Sequence, residues 1–323
     1  MAGEKSFEGI RDFALMQGFD RVIAMPPQRF ARWQAAMDTV GPDHRALSLS
    51  ADPFSILPSA TAILIMIKGY VPFSDFPRGF GHVPNYYLLT QHTYKWTQAV
   101  AAFIEAGSDA KAVASPKLPH RSSAILGGAG CPGFNQLLFI PGFGSYTNIA
   151  LILTDAFKAP VQELAAPVPA LCNGCGACAR ACPTQAIKGD GTWDYTRCLR
   201  HHMAANDFPE ESRSKLTSLL GCDICQNACP VNQRVCAPAS APDEIVSAFE
   251  LGAVVNLKND APLTKHIGEL VGKNLVRGNR LVNQALILCV NQGLTEHKRT
   301  IKNLLRDENP VTASLAGWAL ERL

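Results

Sequence analysis

Cys172, Cys175, Cys178 and Cys182 follow one another at gaps of two, two and three residues, and Pro183 closes the run. Cys222, Cys225 and Cys229 repeat the pattern, closed by Pro230. Short C-x2-C loops bring neighbouring thiolates to one cuboidal iron–sulfur cluster, and the cysteine before the proline ligates the other cluster of a pair. The two runs therefore predict two [4Fe–4S] clusters close together, and one-electron chemistry. They supply seven thiolates, and Cys198, lying between them, fits as the eighth. The crossed arrangement gives Cys172, Cys175, Cys178 and Cys229 to one cluster, and Cys182, Cys198, Cys222 and Cys225 to the other. A four-cysteine zinc site would use one C-x2-C pair from each run and leave the rest of the spacing unexplained.

Three cysteines remain. Cys289 sits on an apolar helical face and reads as core filling. Cys236 reads as a spectator. Cys131, in the glycine-rich stretch Gly127–Gly133, is either a buried inert thiol or an exposed reactive one. Beyond the cysteines, Lys117, His120 and Arg121 share a proline-bounded loop, and Arg197, Arg200, His201 and His202 flank Cys198. A histidine can donate protons near neutral pH. The alternative is surface charge, or side chains that tune a cluster's potential. From residue 273 to 306 there are seven basic residues, Lys273, Arg277, Arg280, Lys298, Arg299, Lys302 and Arg306, against one acid, Glu296. Such a stripe is either a phosphate-binding surface or a solvated helix face.

The elements that must position these groups are legible in outline. Residues 6–18 predict an amphipathic helix capped by Ser6 and ended by Gly18. Val22–Met25 and Ala62–Ile67 predict strands, and residues 86–106 a long helix stopping at Gly107. Leu137–Ile140, a turn at Pro141–Gly144, and Ile149–Leu153 predict a hairpin. Pro160–Pro169 reads as a linker into the cysteine region. After about residue 240 the chain reads as short amphipathic helices, in a cap of paired helices.

The chain has 323 residues, 47% apolar and 18% charged, with a net charge of +3. That length suits two or three domains, and the charge is too small to name a partner. The clustered cysteines fit ligation better than a disulfide framework. The amino terminus does not read as a signal peptide, and the longest apolar run near it, Ala62–Ile67, is far short of a membrane span. The expectation is a cytoplasmic protein with no membrane partner. Long flanks on both sides of the clusters imply that they feed a site rather than only carry charge.

Leu171 to Cys178, taken with Gly221 to Asn232, resembles the epoxyqueuosine reductase family, cobalamin-dependent double-[4Fe–4S] enzymes of tRNA modification related to reductive dehalogenases. Weaker similarity runs through Ala51-Asp52-Pro53, Gly130–Gly133, Gly144–Asp155, Asn279–Ala285 and Ala316–Leu320. The resemblance implies an α+β fold: a nitroreductase-like domain over 1–165, a two-cluster ferredoxin-like module over 166–240, and a HEAT-like helical cap over 241–323. It implies a reductase in which the clusters pass electrons from a reduced ferredoxin or flavodoxin to a bound cobalamin. Cobalamin contacts are expected at Cys131, Gly133, Asn135, Gly144, Ser145, Tyr146 and His201. The substrate is then the queuosine precursor in tRNA, gripped through the 273–306 stripe, or another small electrophile. The family's acid corresponds to Ala114, which cannot transfer a proton. Either His120 or Lys117 takes that role, or the reaction is not epoxide reduction. The other class of reading is an electron-transfer or corrinoid-activating protein without substrate chemistry, and a third is a tRNA-binding module that has lost the corrin.

Overall fold

The computed structural model describes residues 6–40, 48–160 and 170–323. The expected linker, Pro160 apart, lies outside the described residues. The chain divides into two compact units: Met1–Tyr70 with His92–Gly133 and Leu137–Asn173, and Val71–Gln91 with Phe134–Gln136 and Gly174–Leu323.

The first unit is built on six strands, β1 (Arg21–Met25), β2 (Ala62–Gly69), β3 (Ala112–Ala114), β4 (Cys131–Pro132), β5 (Leu138–Phe139) and β6 (Thr147–Thr154). Four form one antiparallel sheet in the order β1-β2-β6-β3. Helix α1 (Phe7–Gln17) starts where Ser6 Oγ accepts the Gly9 N–H at 3.2 Å and stops at Gly18, as expected. The other helices begun in this part of the chain are α2 (Ala31–Met37), the long α3 (Asn85–Glu105), whose first turns count with the second unit, and α4 (His120–Leu126).

Apolar residues run continuously along β2 because both faces of the sheet are covered. Leu64 and Met66 join Ile10, Ala14, Val100 and Ile104 on one side, from α1 and α3. Ile63, Ile65 and Ile67 join Leu118, Ala124, Leu138 and Ile140 on the other. The period-two alternation of a strand feeds both cores, and each such side chain contributes roughly 1.5–3 kcal/mol on burial.

The expected hairpin is wrong. Leu138–Phe139 pairs with Cys131–Pro132, whereas β6 pairs with β2 and β3. The Pro141–Gly144 turn does form, bridged between Ile140 and Gly144, but it sends the chain into the sheet centre. β6 is buried along nearly all its length, so it needs a neighbour on each edge, which a two-stranded ribbon cannot supply.

The second unit holds α5 (Ala177–Ala181), α6 (Leu199–Ala205), α7 (Glu210–Arg213), α8 (Ile224–Asn227) and α9 (Pro230–Val235), which carry or flank the cysteines. The tail follows as α10 (Asp243–Ala248), α11 (Leu251–Val255), α12 (Ala261–Val271), α13 (Arg280–Asn291), α14 (Lys298–Asn303) and α15 (Pro310–Arg322). Helix α13 is buried from Leu281 to Cys289 and is the tail's central element. Cys289 is fully buried, which pushes its thiol up to about 12 and makes it inert packing.

The expected boundary at residue 240 is not a break in packing. Met203, Phe208, Leu216, Leu219 and Leu220 from the cysteine region share one core with Phe249, Leu251, Ile287 and the rest of the tail. Val83, Tyr87 and Leu88 belong to that core too, which is why 71–91 leaves the first 165 residues to join the second unit. Among the described residues, no helix is long and apolar enough to cross a membrane.

Candidate functional site: the cysteine centre

Local backbone geometry explains how several cysteines are gathered within a short stretch. Gly174 and Gly176 both take φ near +72°, in the left-handed region, and curl the chain between Cys172 and Cys178. Helix α5 then begins and carries Cys178, and it packs against α8, which carries Cys225. Arg180 Nη1 closes the loop by donating to the Cys175 carbonyl at 3.1 Å. Pro230 fills the first turn of α9, where no N–H is needed, and leaves Cys229 extended at its cap.

Cys182, Cys198, Cys222 and Cys225 lie in the second unit, within electrostatic reach of one another. Burial raises the Cys222 thiol to about 12, and the neighbouring Cys198, Asp223 and Cys182 charges add to the rise. Cys225 is raised well above the ordinary range, first by burial, then by Cys222, Cys198, Cys182 and Cys178. Held as thiolates, Cys222 and Cys225 need a cationic centre beside them. Among the described residues, no three His, Cys, Asp or Glu side chains converge as a single metal ion requires. The number and spacing of the cysteines suit four-iron clusters, each of which spreads four thiolates over its irons.

Cys182 behaves differently. Burial pushes its thiol up, but hydrogen bonds from the backbone of Ile187, Ala186 and Thr184 and from the Thr184 hydroxyl, 3.6 Å from Sγ, bring it below the ordinary value. N–H groups aimed at a sulfur are a known lever on cluster potential. Cys198 caps α6, its carbonyl accepting from His201 N at 2.9 Å and His202 N at 3.1 Å.

Three residues of the β4–β5 connection belong to this centre and were not expected there. Phe134 lies against Gly174 and Gly191, whose Cβ positions would stand 3.2 and 3.6 Å from its ring. Asn135 Nδ2 donates to the Cys225 carbonyl at 3.3 Å, and Gln136 Nε2 to the Gly191 carbonyl at 2.7 Å. Asn135 was expected to contact a corrin. His82 is another residue that sequence reasoning did not single out: it is 6% exposed, with Nε2 3.6 Å from Asp223 Oδ2. A lone histidine in a loop carries no sequence signal.

The remaining expected positions are spread through the molecule. Cys131 is buried, and its Sγ accepts the Leu171 N–H at 3.3 Å, so the inert reading of this thiol is the better one. Ser145 and Tyr146 are buried, with Tyr146 edge-on to Tyr70 at 5.6 Å. Gly144 is engaged by Ile140 N, and Gly133 N donates to the Leu137 carbonyl. His201 lies edge-on to Tyr195 at 5.1 Å. The buried side-chain atoms without a hydrogen-bond partner among the described residues lie on His82, Gln284 and Trp318, none in the first unit. Among the described residues, the seven expected corrin contacts leave no buried side-chain nitrogen or oxygen without a partner.

His120 and Lys117, the two candidates for the missing acid's role, differ in their surroundings. Lys117 is exposed, and His120 Nδ1 lies 3.0 Å from the Ile149 carbonyl. Burial lowers the His120 pKa, with the Ile149 and Pro116 carbonyls opposing. Ala114 ends β3 opposite Ile152, followed by Ser115 at φ +52°. The basic stripe is on the surface: all its members but Arg280 are exposed, and none takes part in an ion pair among the described residues.

Comparison with known proteins agrees with the cysteine centre. Residues 171–232 match the 4Fe-4S double cluster binding domain. The chain is 30% identical over 203 residues to the epoxyqueuosine reductase of Listeria monocytogenes, covering 61% of this chain and 52% of that protein. It is 40% identical over 122 residues to that of a Synechococcus, 36% of each chain. These sequence matches span about half or less of the length of the curated relatives. In fold, the epoxyqueuosine reductase of Streptococcus thermophilus superposes with a TM-score of 0.75 at 23% identity, over 97% of this chain and 89% of that one. An epoxyqueuosine reductase solved with an epoxyqueuosine-modified tRNA stem loop gives 0.73 at 21%, over 98% and 89%. The chain is thus similar in sequence to epoxyqueuosine reductases over part of its length, shares their fold, and has a double [4Fe–4S]-binding domain at its cysteine centre.

Proposed function

We propose that this chain is an iron–sulfur reductase acting on epoxyqueuosine in tRNA. One [4Fe–4S] cluster is held by Cys172, Cys175, Cys178 and Cys229, the other by Cys182, Cys198, Cys222 and Cys225. Each accepts one electron from a low-potential ferredoxin or flavodoxin. Reducing an epoxide takes two electrons and two protons, so two one-electron centres together hold the electrons for one turnover. The observation that carries the reading is the spacing of the two cysteine runs, which lie within the match to the double-cluster binding domain over residues 171–232.

The resemblance supplies cobalamin as the acceptor of these electrons, in a nitroreductase-like first domain. Protein groups satisfy the expected contact residues, so the cofactor rests on the resemblance alone. The HEAT-like character of the tail and the cytoplasmic location belong to the same proposal. The seven basic residues between 273 and 306 are the proposed phosphate contacts, each released counterion making affinity fall with salt.

The absence of a carboxylate at Ala114, with His120 turned to the backbone, favours a second reading: electron transfer without substrate chemistry. One experiment separates them. Protein reconstituted anaerobically is mixed with an epoxyqueuosine-modified stem loop and a strong reductant, with and without cobalamin. Loss of the epoxide is followed by mass spectrometry of the released nucleoside. Conversion that needs the protein and cobalamin supports the reductase. Cluster reduction with no epoxide loss in either arm overturns it in favour of electron transfer.

A further inference from the structure

His82 is buried, yet neither ring nitrogen has a hydrogen-bond partner. An imidazole left so loses the hydrogen bonds it would make in water. The charged group facing it is the Asp223 carboxylate, 3.6 Å from Nε2, with side-chain exposures of 7% and 14%. Asp223 stands between Cys222 and Cys225, makes no side-chain cap bond to α8, and its charge acts on Cys222 directly. Phe76 closes the ring edge-on at 5.2 Å, and the His82 carbonyl is fixed by Leu219 N at 2.8 Å. The imidazole is thus aimed at the carboxylate beside one group of sulfurs. All these residues lie within the second unit.

A carboxylate beside a thiolate-ligated cluster disfavours adding an electron, because reduction makes the cluster more negative. A cationic or hydrogen-bonding partner for that carboxylate offsets its field, by an amount that is large in a desolvated site. We propose that His82 is a positioning residue that holds and offsets Asp223, and so raises the potential of the cluster on Cys182, Cys198, Cys222 and Cys225 while leaving the other cluster unaffected. The proposal rests on the two-cluster reading above.

The test is an EPR-monitored redox titration of reconstituted protein at one fixed pH, comparing wild type, His82→Gln, Asp223→Asn and the double variant. Iron and sulfide are counted on every sample. His82→Gln is expected to move one of the two reduction waves to a more negative potential. Asp223→Asn moves the same wave positive, and the double variant returns close to Asp223→Asn, since His82 acts through the carboxylate. A merely structural histidine would not give opposed shifts with this dependence. Unchanged waves in both single variants, shifts of the same sign, or equal movement of both waves overturns the proposal. Should His82→Gln fail to load, a positive shift in Asp223→Asn is still required, and its absence counts against the proposal. Fewer than about eight irons in the wild type defeats the two-cluster reading instead.

Discussion

Replacing Gly221 by alanine tests how the fold delivers Cys222 to its neighbours. Gly221 has φ +73°, and a Cβ there would stand 2.5 Å from Tyr87 Cε2 and 2.9 Å from its hydroxyl. The left-handed backbone costs an alanine roughly 1–2 kcal/mol. Forcing a methyl into a packed core adds roughly 1–3 kcal/mol, giving about 2–5 kcal/mol in all. Gly176 is the control: its φ is +72°, but its Cβ would meet only the tip of Arg180 at 3.0 Å, so Gly176→Ala should cost about 1–2 kcal/mol. Each kcal/mol moves a thermal midpoint by about 2–4 °C in a domain of this size. Melting of the anaerobic, cluster-loaded variants, with iron counted before heating, should place Gly221→Ala several degrees below Gly176→Ala and poorer in iron. Tyr87 also carries Arg200 over its ring at 5.7 Å, so Tyr87→Leu is costly alone, but it should cost less in the Gly221→Ala background. Equal midpoints for the two glycine variants, or no coupling with Tyr87→Leu, would refute the reasoning.

Other outcomes follow from the same geometry. Cys198→Ser should cut iron from about eight to about four per chain, whereas Cys236→Ser should leave it unchanged; colorimetric iron and sulfide counts decide. Asp307 feels burial first, which raises its pKa, but Lys258 at 2.8 Å, Asn309 N and Asn279 Nδ2 hold it below the usual carboxylate range. Its folded value being depressed, its contribution is present above the unfolded pKa of about 3.9 and is lost as pH falls through the folded one. Asp307→Asn should therefore lower the melting point at neutral pH and flatten its fall in acid. Replacing both Lys298 and Lys302 by glutamine should weaken stem-loop binding and reduce its log–log salt slope by about 2, measured by fluorescence anisotropy at several salt concentrations.

The cysteine centre was legible because its ligands are set by short-range spacing, which a linear sequence displays directly. Ser6, Gly18 and the continuous apolar run of β2 were legible for the same reason, as local caps and local periodicity. Pairing was not. β6 and β5 are neighbours in sequence, but the burial of β6 on both faces sends it between β2 and β3, a choice made by distant residues. Nor could spacing show that Phe134, Asn135 and Gln136 brace the cysteine loops, or that Val83 and Tyr87 share a core with the tail. His82 was invisible for a different reason: its meaning lies in Asp223, and 141 residues separate them. The expected corrin contacts were not legible in spacing at all: they came from the resemblance, and they remain part of the proposal.

The central claim is that eight cysteines hold two [4Fe–4S] clusters near enough to act together. EPR of the anaerobically reconstituted, fully reduced protein tests it most directly. The account predicts about two unpaired spins per chain, with lines broadened by interaction between the centres, and about one spin in Cys198→Ser with that broadening gone. A single unbroadened spin in the wild type, or zinc in place of iron, would contradict it.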